Sequence, residues 1–302
     1  MRYVHPKRII RQTKQGIHDL FWYYMVPDRV SIAHTFKEKI GRPCDLKNPR
    51  TYNEKIQWLK LNDRKPFYKD LCDKYAVKQI VGGWIGQEHI IPTLGRWDRF
   101  EDIDFDSLPD RFVLKCNHDS ASVVICRDKA KFDREKARQK LKEALRHDYY
   151  HDMGKQWAYK GISRCILAEP YIEDPEHGEL VDFKFMVFNG TCRCTLVGSE
   201  RFSRTGPKMD FYDRDWNLLP FTRHFPNSKN GFEKPSQYEL MVSLAETVAR
   251  RIGNPFVRVD FYQVGEIVYF GEVTFYPGGG FSEFTPEEWD YTIGSWMDLD
   301  QC

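Results

Sequence analysis

The sequence predicts an α+β protein built from two or three subdomains. Short β-rich runs bounded by turn residues recur after residue 111, whereas charged segments with apolar residues at helical spacing dominate residues 36–90. The chain has 302 residues, of which 41% are hydrophobic and 15% aromatic, so it is long enough to bury a sizeable core. We therefore expect a helical first region followed by mixed helix and sheet.

The first region, residues 1–107, is predicted to be mainly helical. Residues 51–54 have the pattern of an N-terminal helix cap, and a second helix is expected across Lys69–Ile80. Gly82-Gly83 is expected to break the helical stretch, and the acidic run 101–106 followed by Leu108-Pro109 indicates a linker. A new unit should therefore begin near residue 108.

The second region, residues 108–165, is predicted to be a small α+β unit, and the third, residues 166–302, a larger one. In the second region the pattern predicts strands at Phe112–Lys115 and Val123–Cys126 and a helix at Asp133–His147. For the rest of the chain it predicts strands and a helix in this order: strands Cys165–Ile172, Leu180–Phe188, Cys192–Gly198 and Lys208–Tyr212, helix Ser236–Ile252, and strands Phe256–Tyr262 and Ile267–Phe275.

Composition narrows the class of protein. The 46 basic and 44 acidic side chains nearly cancel, so no overall field favours a nucleic-acid partner, and local charges must hold any anionic ligand. The eight cysteines form no CxxC pair and are expected to be reduced thiols. No stretch approaches the 18 apolar residues of a membrane span, and we expect a cytoplasmic location.

The N-terminus is basic and then aromatic. Five Arg and Lys residues between Arg2 and Lys14 precede the cluster Phe21–Tyr24. Such a segment is able to contact an anionic membrane surface. The preferred interpretation is a basic arm leading into a helix that packs on the body.

The segment 256–276 carries charged residues inside otherwise buried strand patterns. Its two β-rich runs are joined by a turn at Gly265. A three-residue loop, Val264–Glu266, with a left-handed residue pairs Arg258 with Glu272 and places Asp260 on the same face. A two-residue loop would separate the two carboxylates.

With the three-residue loop, Asp260 and Glu272 are diagonal neighbours, roughly 5–8 Å apart, and repel unless a cation or Arg258 lies between them. Mg²⁺ suits such a pair, because it takes one or two carboxylates and completes its shell with water and phosphate oxygens. Thr274 points to the same face and adds a hydroxyl. An ordinary salt-bridged hairpin fits the same residues.

Four segments resemble, in chain order, the motifs of ATP-grasp ligases such as D-alanine–D-alanine ligase. Asp73–Lys78 resembles the DKxxxK helix, residues 108–127 the P-x-x-V-x-K strand with its phosphate-covering loop, Ile166–Ile172 the hinge that reads adenine, and Arg258-x-Asp260 with Glu272-x-Thr274 the R-x-D and E-x-N metal pair. Together with residues 51–55, the set is similar to the TupA-like ATP-grasp family over roughly residues 35–290.

The resemblance implies an ATP-grasp fold, in which two α+β subdomains clasp ATP, here preceded by a mainly helical N-terminal domain. It also implies ATP and Mg²⁺ as cofactors. Arg258 and Lys184 would be catalytic, and Asp260, Glu272 and Thr274 would hold the metal. The residues expected to bind ATP are Lys78, Lys115, Ser120, Ser122, Glu169, Tyr171, Ile172, Asp182 and Lys184.

Two positions depart from the family pattern. Residues 118–122 replace a glycine-rich phosphate loop with His, Asp, Ser, Ala and Ser, although their small polar groups are able to donate to phosphate. Thr274 stands where the pattern has asparagine, and a hydroxyl is the weaker metal ligand. Asp182 and Lys184 also fit a simple surface ion pair.

Members of the family are associated with cell-surface polysaccharides, including the attachment of amino acids to uronic-acid carboxyls. The resemblance therefore implies an ATP-dependent carboxylate–amine ligase whose partners are a sugar or polysaccharide-precursor acceptor and an amino acid. Two alternatives remain at this point. One is an ATP-grasp kinase that phosphorylates a sugar hydroxyl, and the other is a glycosyltransferase of the same pathway.

Overall fold

The computed structural model describes residues 25–120, 122–174, 180–199 and 206–301. Both interpretations of the basic N-terminal segment, the arm leading into a helix and the membrane contact, concern residues outside these ranges. Within them, no helix has the length and apolar character needed to cross a bilayer.

The described residues form helices and strands in the alternation that the sequence predicts for an α+β chain. The α-helices are α1 (Asp28–Ile40), α2 (Tyr52–Asn62), α3 (Tyr68–Cys72), α4 (Ala76–Ile85), α5 (Arg134–Arg146), α6 (Tyr149–Asp152), α7 (Tyr238–Ile252) and α8 (Glu288–Ser295). The strands are β1 (Gly95–Trp97), β2 (Phe112–Cys116), β3 (Val124–Cys126), β4 (Ile166–Pro170), β5 (Asp182–Phe188), β6 (Thr191–Ser199), β7 (Lys208–Asp213), β8 (Thr222–Arg223), β9 (Phe256–Val264), β10 (Ile267–Thr274) and β11 (Phe284–Thr285).

Helix α2 begins as the sequence predicts. The Thr51 hydroxyl accepts a hydrogen bond from the Glu54 amide at 3.2 Å, and the Glu54 carboxylate accepts from the Thr51 amide at 3.1 Å. This reciprocal pair satisfies two amides that a helix N-terminus otherwise leaves without partners.

The helix predicted over Lys69–Ile80 is two helices, so that prediction is wrong at its centre. The Asp73 carboxylate accepts from the Tyr75 amide at 2.8 Å, a local turn that competes with helix continuation. The expected break at Gly82-Gly83 is also wrong, because α4 continues to Ile85 and ends at Gly86, whose φ is 106°. A side chain at Gly82 would meet the Gln87 amide at 2.4 Å.

The smaller sheet is antiparallel, with strand order β1-β4-β2-β3. One of its faces buries Leu114, Cys116 and Ala168 against Leu141 of α5. The predicted boundaries at 107/108 and 165/166 do not follow this sheet, because β1 comes from before the first boundary and β4 from after the second. Strand pairing depends on distant segments, which local patterns do not specify.

The larger sheet is antiparallel, with order β10-β9-β5-β6-β7. Helix α7 packs on one face, where Phe185 and Val259 share a buried cluster with Val242 and Ala245. Side chains alternate along each strand, so the other face carries the residues between these positions. That face holds the predicted charged residues.

The hairpin of β9 and β10 differs from its predicted form. Val264 pairs with Ile267, so the loop has two residues, and the predicted three-residue loop is wrong. Gly265 has the expected left-handed conformation, with φ of 56°. A β-bulge between Phe270 and Glu272 then adds one residue to β10.

The bulge returns Glu272 to the face of Asp260. Glu272 lies directly opposite Asp260 in the ladder, and Arg258 lies opposite Thr274. The predicted pairing of Arg258 with Glu272 and the diagonal placement of the carboxylates are therefore wrong. The two carboxylates nevertheless lie on one face of the sheet. The extra residue at Gly271 restores the alternation of side chains that the two-residue loop would otherwise shift by one position.

Candidate functional site

A row of charges crosses three adjacent strands of the larger sheet. Lys184 of β5 pairs with Asp260 of β9, which pairs with Glu272 of β10. The Lys184 ammonium lies 2.7 Å from the Asp260 carboxylate and 3.1 Å from that of Asp182. The side chain of Asp260 is 1% exposed, so its charge depends on these partners.

Arg258 connects the two carboxylates. Its Nε and Nη2 each donate to Asp260 at 2.7 Å, and Nη2 also donates to Glu272 at 2.7 Å. Burial alone would lower the pKa of Arg258, but the two carboxylates outweigh it and raise that pKa. The ion pairs expected of a salt-bridged hairpin are thus present together with the carboxylate pair.

Glu272 is the accessible member of the pair. Its Oε1 accepts from Arg258 and, at 3.2 Å, from the Thr274 hydroxyl, whereas its Oε2 faces the Lys74 ammonium at 4.0 Å. Burial raises the pKa of Glu272, but Lys74, Arg258 and Lys184 outweigh that effect and lower it to about 2. The carboxylate is therefore ionised at neutral pH.

These residues fit a magnesium ion that is shared with a substrate. Arg258 and Lys184 already occupy both oxygens of Asp260, whereas the side chain of Glu272 is 30% exposed. The part of the chain that the structure describes has no group of three or more His, Cys, Asp or Glu side chains suited to a metal. Mg²⁺ accepts such a sparse set when water and phosphate complete its shell. Thr274 donates to Glu272 and so orients that carboxylate.

On the smaller sheet, Glu169 lies between the two predicted phosphate lysines. Its carboxylate is 2.5 Å from the Lys78 ammonium and 2.6 Å from that of Lys115. Lys78 also donates to the Ile91 carbonyl at 2.8 Å and the Thr93 hydroxyl at 3.1 Å. Burial raises the pKa of Glu169, but the two lysines outweigh it and lower that pKa. The structure thus brings these three predicted residues together.

The two predicted loop serines have different environments. Ser122 is buried, accepts from the Cys116 amide at 2.8 Å and donates to the Asp119 carboxylate at 2.5 Å, so its hydroxyl closes the base of the loop. Ser120 is exposed and lies 3.0 Å from the Tyr149 hydroxyl. Ser120 is therefore the more accessible of the two for an incoming phosphate.

The predicted hinge residues lie at the end of β4. The Tyr171 hydroxyl accepts from Arg127 at 3.1 Å and donates to Glu173 at 3.4 Å, and the Arg111 guanidinium lies 4.5 Å from the ring centre. Ile172 follows, half-buried. This segment leads from the smaller sheet toward the larger one.

Lys74 belongs to this site, although its side chain was not among the predicted site residues. Its ammonium donates to the Asp119 carbonyl of the predicted phosphate loop and lies 4.0 Å from Glu272. The turn at Asp73 separates α3 from α4. Lys74 follows this turn and lies between the Asp119 carbonyl and the Glu272 carboxylate. The Asp73-Lys74-Tyr75 motif is a sequence signal for Lys74, whereas a continuous helix over Lys69–Ile80 favours Lys78 instead.

Comparison with solved structures finds similar chain paths at low identity. The D-alanine–D-alanine ligase from Bacillus anthracis complexed with ATP is 15% identical, with a TM-score of 0.41, over 68% of this chain and 54% of that chain. This chain therefore spans about half the length of that ligase. The D-cycloserine synthetase DcsG is 14% identical, with a TM-score of 0.42, over 76% and 71% of the two chains.

The ATP-grasp ligase PsnB, complexed with a minimal precursor, Mg and ADP, is 9% identical, with a TM-score of 0.39, over 74% of this chain and 57% of that one. Comparison with curated proteins finds no match. Residues 54–298 match the family described as TupA-like ATPgrasp. This span covers most of the chain and includes the charged row, the lysine pair and the loop between them, as the resemblance implied. The chain belongs to the TupA-like ATP-grasp family.

Proposed function

We propose that the protein is an ATP-dependent carboxylate–amine ligase. The observation that carries this proposal is the row Lys184–Asp260–Glu272 with Arg258 across it, which combines an accessible carboxylate with cations able to hold anionic oxygens. Such an arrangement suits phosphoryl transfer, in which the protein mainly positions groups and offsets negative charge.

The proposed reaction has two steps. A substrate carboxylate oxygen attacks the γ-phosphorus of ATP, the bond to the β,γ-bridging oxygen breaks, and ADP leaves. An amine nitrogen then attacks the carbonyl carbon of the acyl phosphate, phosphate leaves, and the nitrogen loses a proton to give an amide. The free energy of ATP cleavage is thereby used to form the carbon–nitrogen bond.

The proposed role of each residue follows from its position in the charged row. Glu272, with Asp260 behind it, would hold Mg²⁺, and Thr274 would orient Glu272. When bound, Mg²⁺ would supply positive charge that offsets the negative charge of the phosphate groups. Arg258 and Lys184 would hold the substrate carboxylate and the transferring phosphoryl group, since both reach the row from one face.

The nucleotide would lie between the two sheets. Lys78, Lys115 and Lys74 would contact its phosphates, with Ser120 at the loop, and Glu169 would keep two of these lysines in place. Adenine would be read at Tyr171–Ile172, and Asp182 would accept from ribose hydroxyls. Ser122 would support the loop from below.

For the acceptor we propose a uronic-acid sugar of a cell-surface polysaccharide or its precursor, joined to an amino acid in the cytoplasm. Family resemblance supports this choice of substrates. The geometry supports only the general class, a carboxylate and an amine.

Hydroxylamine trapping tests the reaction directly. The protein is incubated with ATP, Mg²⁺, a panel of uronic-acid glycosides and hydroxylamine in place of the amino acid, and products are followed by mass. We expect a hydroxamate of one glycoside together with ADP and phosphate, because hydroxylamine attacks an acyl phosphate. A phosphorylated glycoside without hydroxamate would indicate a kinase, and absence of both ATP binding and ADP formation would reject the proposal.

A matched pair of variants assigns the chemistry to the row. Glu272→Gln should lower hydroxamate formation by about 100-fold or more, because it removes the accessible metal-binding charge. Glu266→Gln lies on the same hairpin at its exposed turn and should leave the rate unchanged. Equal rates for both variants would remove Glu272 from the mechanism.

A further inference from the structure

The loop that follows β10 is built from glycines in an unusual conformation. We call Pro277–Gly280 the glycine loop; Gly278, Gly279 and Gly280 have φ of 61°, 64° and 67°. L-residues with side chains rarely adopt this left-handed region, and three in succession are held only by their surroundings. The loop begins three residues after Thr274, the last residue of β10.

Two buried side chains of α2 hold this loop. The Lys60 ammonium donates to the Gln57 side-chain oxygen at 2.8 Å, the Gly154 carbonyl at 2.9 Å and the Gly279 carbonyl at 2.6 Å. The Gln57 amide donates to the carbonyls of Gly279 and Gly280 at 3.0 and 2.7 Å. Lys60 thus joins the glycine loop, α2 and the turn at Gly154.

The contacts of Lys60 match its charged form. Three acceptors surround its nitrogen, and only an ammonium supplies three N–H donors. Burial opposes this charge, because it lowers the pKa of Lys60 well below its ordinary value. The side chain is 0% exposed, and within the described residues no carboxylate lies at ion-pair distance from it. The Phe281 ring centre, 4.2 Å away, adds a cation–π contact. A buried cation held by neutral groups is costly, so these contacts must be closely matched to it.

The loop is seated on α2 at a distance that only glycine allows. A Cβ at Gly280 would lie 2.5 Å from the Gln57 amide nitrogen and 2.6 Å from Ile56. At Gly278 it would lie 2.7 Å from the Ser282 hydroxyl. The position of α2, with the side chains of Gln57 and Lys60, therefore determines the position of the glycine loop.

The glycine loop lies beside the charged row, displaced from it along the strand direction. Along β9 the order of positions is Tyr262, which pairs with Asp182 at the start of β5, then Asp260, then Arg258. Strand β5 starts on the hinge side, where the nucleotide is proposed to bind. The loop continues beyond Thr274, which pairs with Arg258 on the side of the row away from Asp182. This is the side from which the proposed acceptor would approach Arg258.

We propose that Lys60 is a positioning residue that holds the glycine loop in its left-handed conformation for the substrate that enters beyond Arg258. The ligand class is the carboxylate-bearing acceptor, so this inference rests on the proposed function. Lys60 does not touch the reacting atoms. It acts by holding the Gly279 carbonyl. Loss of Lys60 should therefore weaken binding of the acceptor and leave the affinity for the nucleotide unchanged.

Lys60→Met tests the proposal, with Lys65→Met as the matched control. Lys65 lies five residues later and donates to the Gly253 carbonyl in an exposed setting. In Lys60→Met we expect amide hydrogen exchange of residues 278–281 to accelerate about tenfold or more, because buried carbonyls lose their donor. The dissociation constant for ATP with Mg²⁺ should stay within about twofold, whereas the acceptor KM in the hydroxylamine assay should rise about tenfold.

The possible outcomes separate the two proposals. Unchanged exchange in residues 278–281, or ATP affinity that falls as much as acceptor affinity, would overturn the role of Lys60. Gln57→Leu serves if Lys60→Met does not fold, because it removes the oxygen that accepts from Lys60 and the amide that donates to the Gly279 and Gly280 carbonyls. It should accelerate the same exchange. A wild-type protein that forms no hydroxamate would reject the ligase chemistry, while the exchange measurement would still decide whether Lys60 holds the loop.

Discussion

Lys74 differs from the other lysines of the site in the partners that its ammonium holds. Lys78 and Lys115 are bound to the Glu169 carboxylate, and Lys184 is bound to Asp260. Lys74 donates to a neutral carbonyl, that of Asp119, and lies 4.0 Å from Glu272. Exchanging a neutral carbonyl for a phosphate oxygen requires no buried carboxylate to lose its partner.

Lys74→Met should therefore weaken ATP binding with Mg²⁺ present. The expected loss is tenfold to about 100-fold, corresponding to one charge-assisted hydrogen bond of about 1.5–3 kcal/mol. Isothermal titration calorimetry measures it, with the exposed-site variant Lys65→Met as control. An unchanged dissociation constant would place Lys74 outside the nucleotide site and leave it as a contact that supports the loop at Asp119.

At the scale of elements, the β9–β10 hairpin depends on one inserted residue. The two-residue loop alone would set Glu272 opposite Val259 and turn its side chain to the α7 face, because a shift of one residue exchanges the two faces. The bulge at Gly271 reverses this. A Cβ at Gly271 would lie 3.1 Å from both the Asp260 carbonyl and the Tyr262 ring.

Gly271→Ala should destabilise the fold by about 1–2 kcal/mol, because the added methyl meets paired backbone that has little room to move. It should also reduce the Mg²⁺ dependence of ATP binding, since Glu272 shifts. Urea unfolding and titration of ATP with and without Mg²⁺ measure the two effects. Gly198→Ala in β6, where a Cβ meets nothing within 4 Å, is the control. A Gly271→Ala protein as stable as Gly198→Ala would show that the bulge tolerates a side chain.

At the scale of the whole molecule, Glu169 links the helical region to the smaller sheet. It pairs with Lys78 of α4 and Lys115 of β2, and its side chain is 7% exposed. Its pKa in the folded protein lies below the ordinary value of 4.5. A carboxylate with a depressed pKa contributes stability that is complete above pH 4.5 and is lost as the pH falls through its folded-state pKa.

Glu169→Gln should lower the free energy of unfolding by about 3 kcal/mol at pH 7, because it leaves two partly buried lysines without their shared carboxylate. The difference in the free energy of unfolding between Glu169→Gln and the wild type should become smaller below pH 4.5. Urea unfolding at pH 7 and pH 3 measures both values. Glu101→Gln, whose partners Lys142 and Arg138 lie at the surface, should change stability little at either pH. A difference that stays constant with pH would mean that the carboxylate charge contributes nothing.

Most of the helices and strands, the α+β class, the family and the carboxylate pair are predictable from the sequence alone. These follow from local features: the reciprocal cap at Thr51 and Glu54, alternation along β9, and ordered motifs. The same patterns identify Lys78, Lys115 and Glu169, and the structure places both ammonium groups within 2.6 Å of the Glu169 carboxylate.

The way in which these parts meet is visible in the tertiary structure and not in the sequence. The bulge that aligns Asp260 with Glu272, the pairing of β1 with β4, and the placement of Lys74 and Lys60 all depend on contacts between segments distant in the chain. Local periodicity reports which face of an element is apolar, but a single inserted residue or a neighbouring carbonyl leaves no periodic signal. For that reason the carboxylates of the charged row were predictable, whereas the register that aligns them was not.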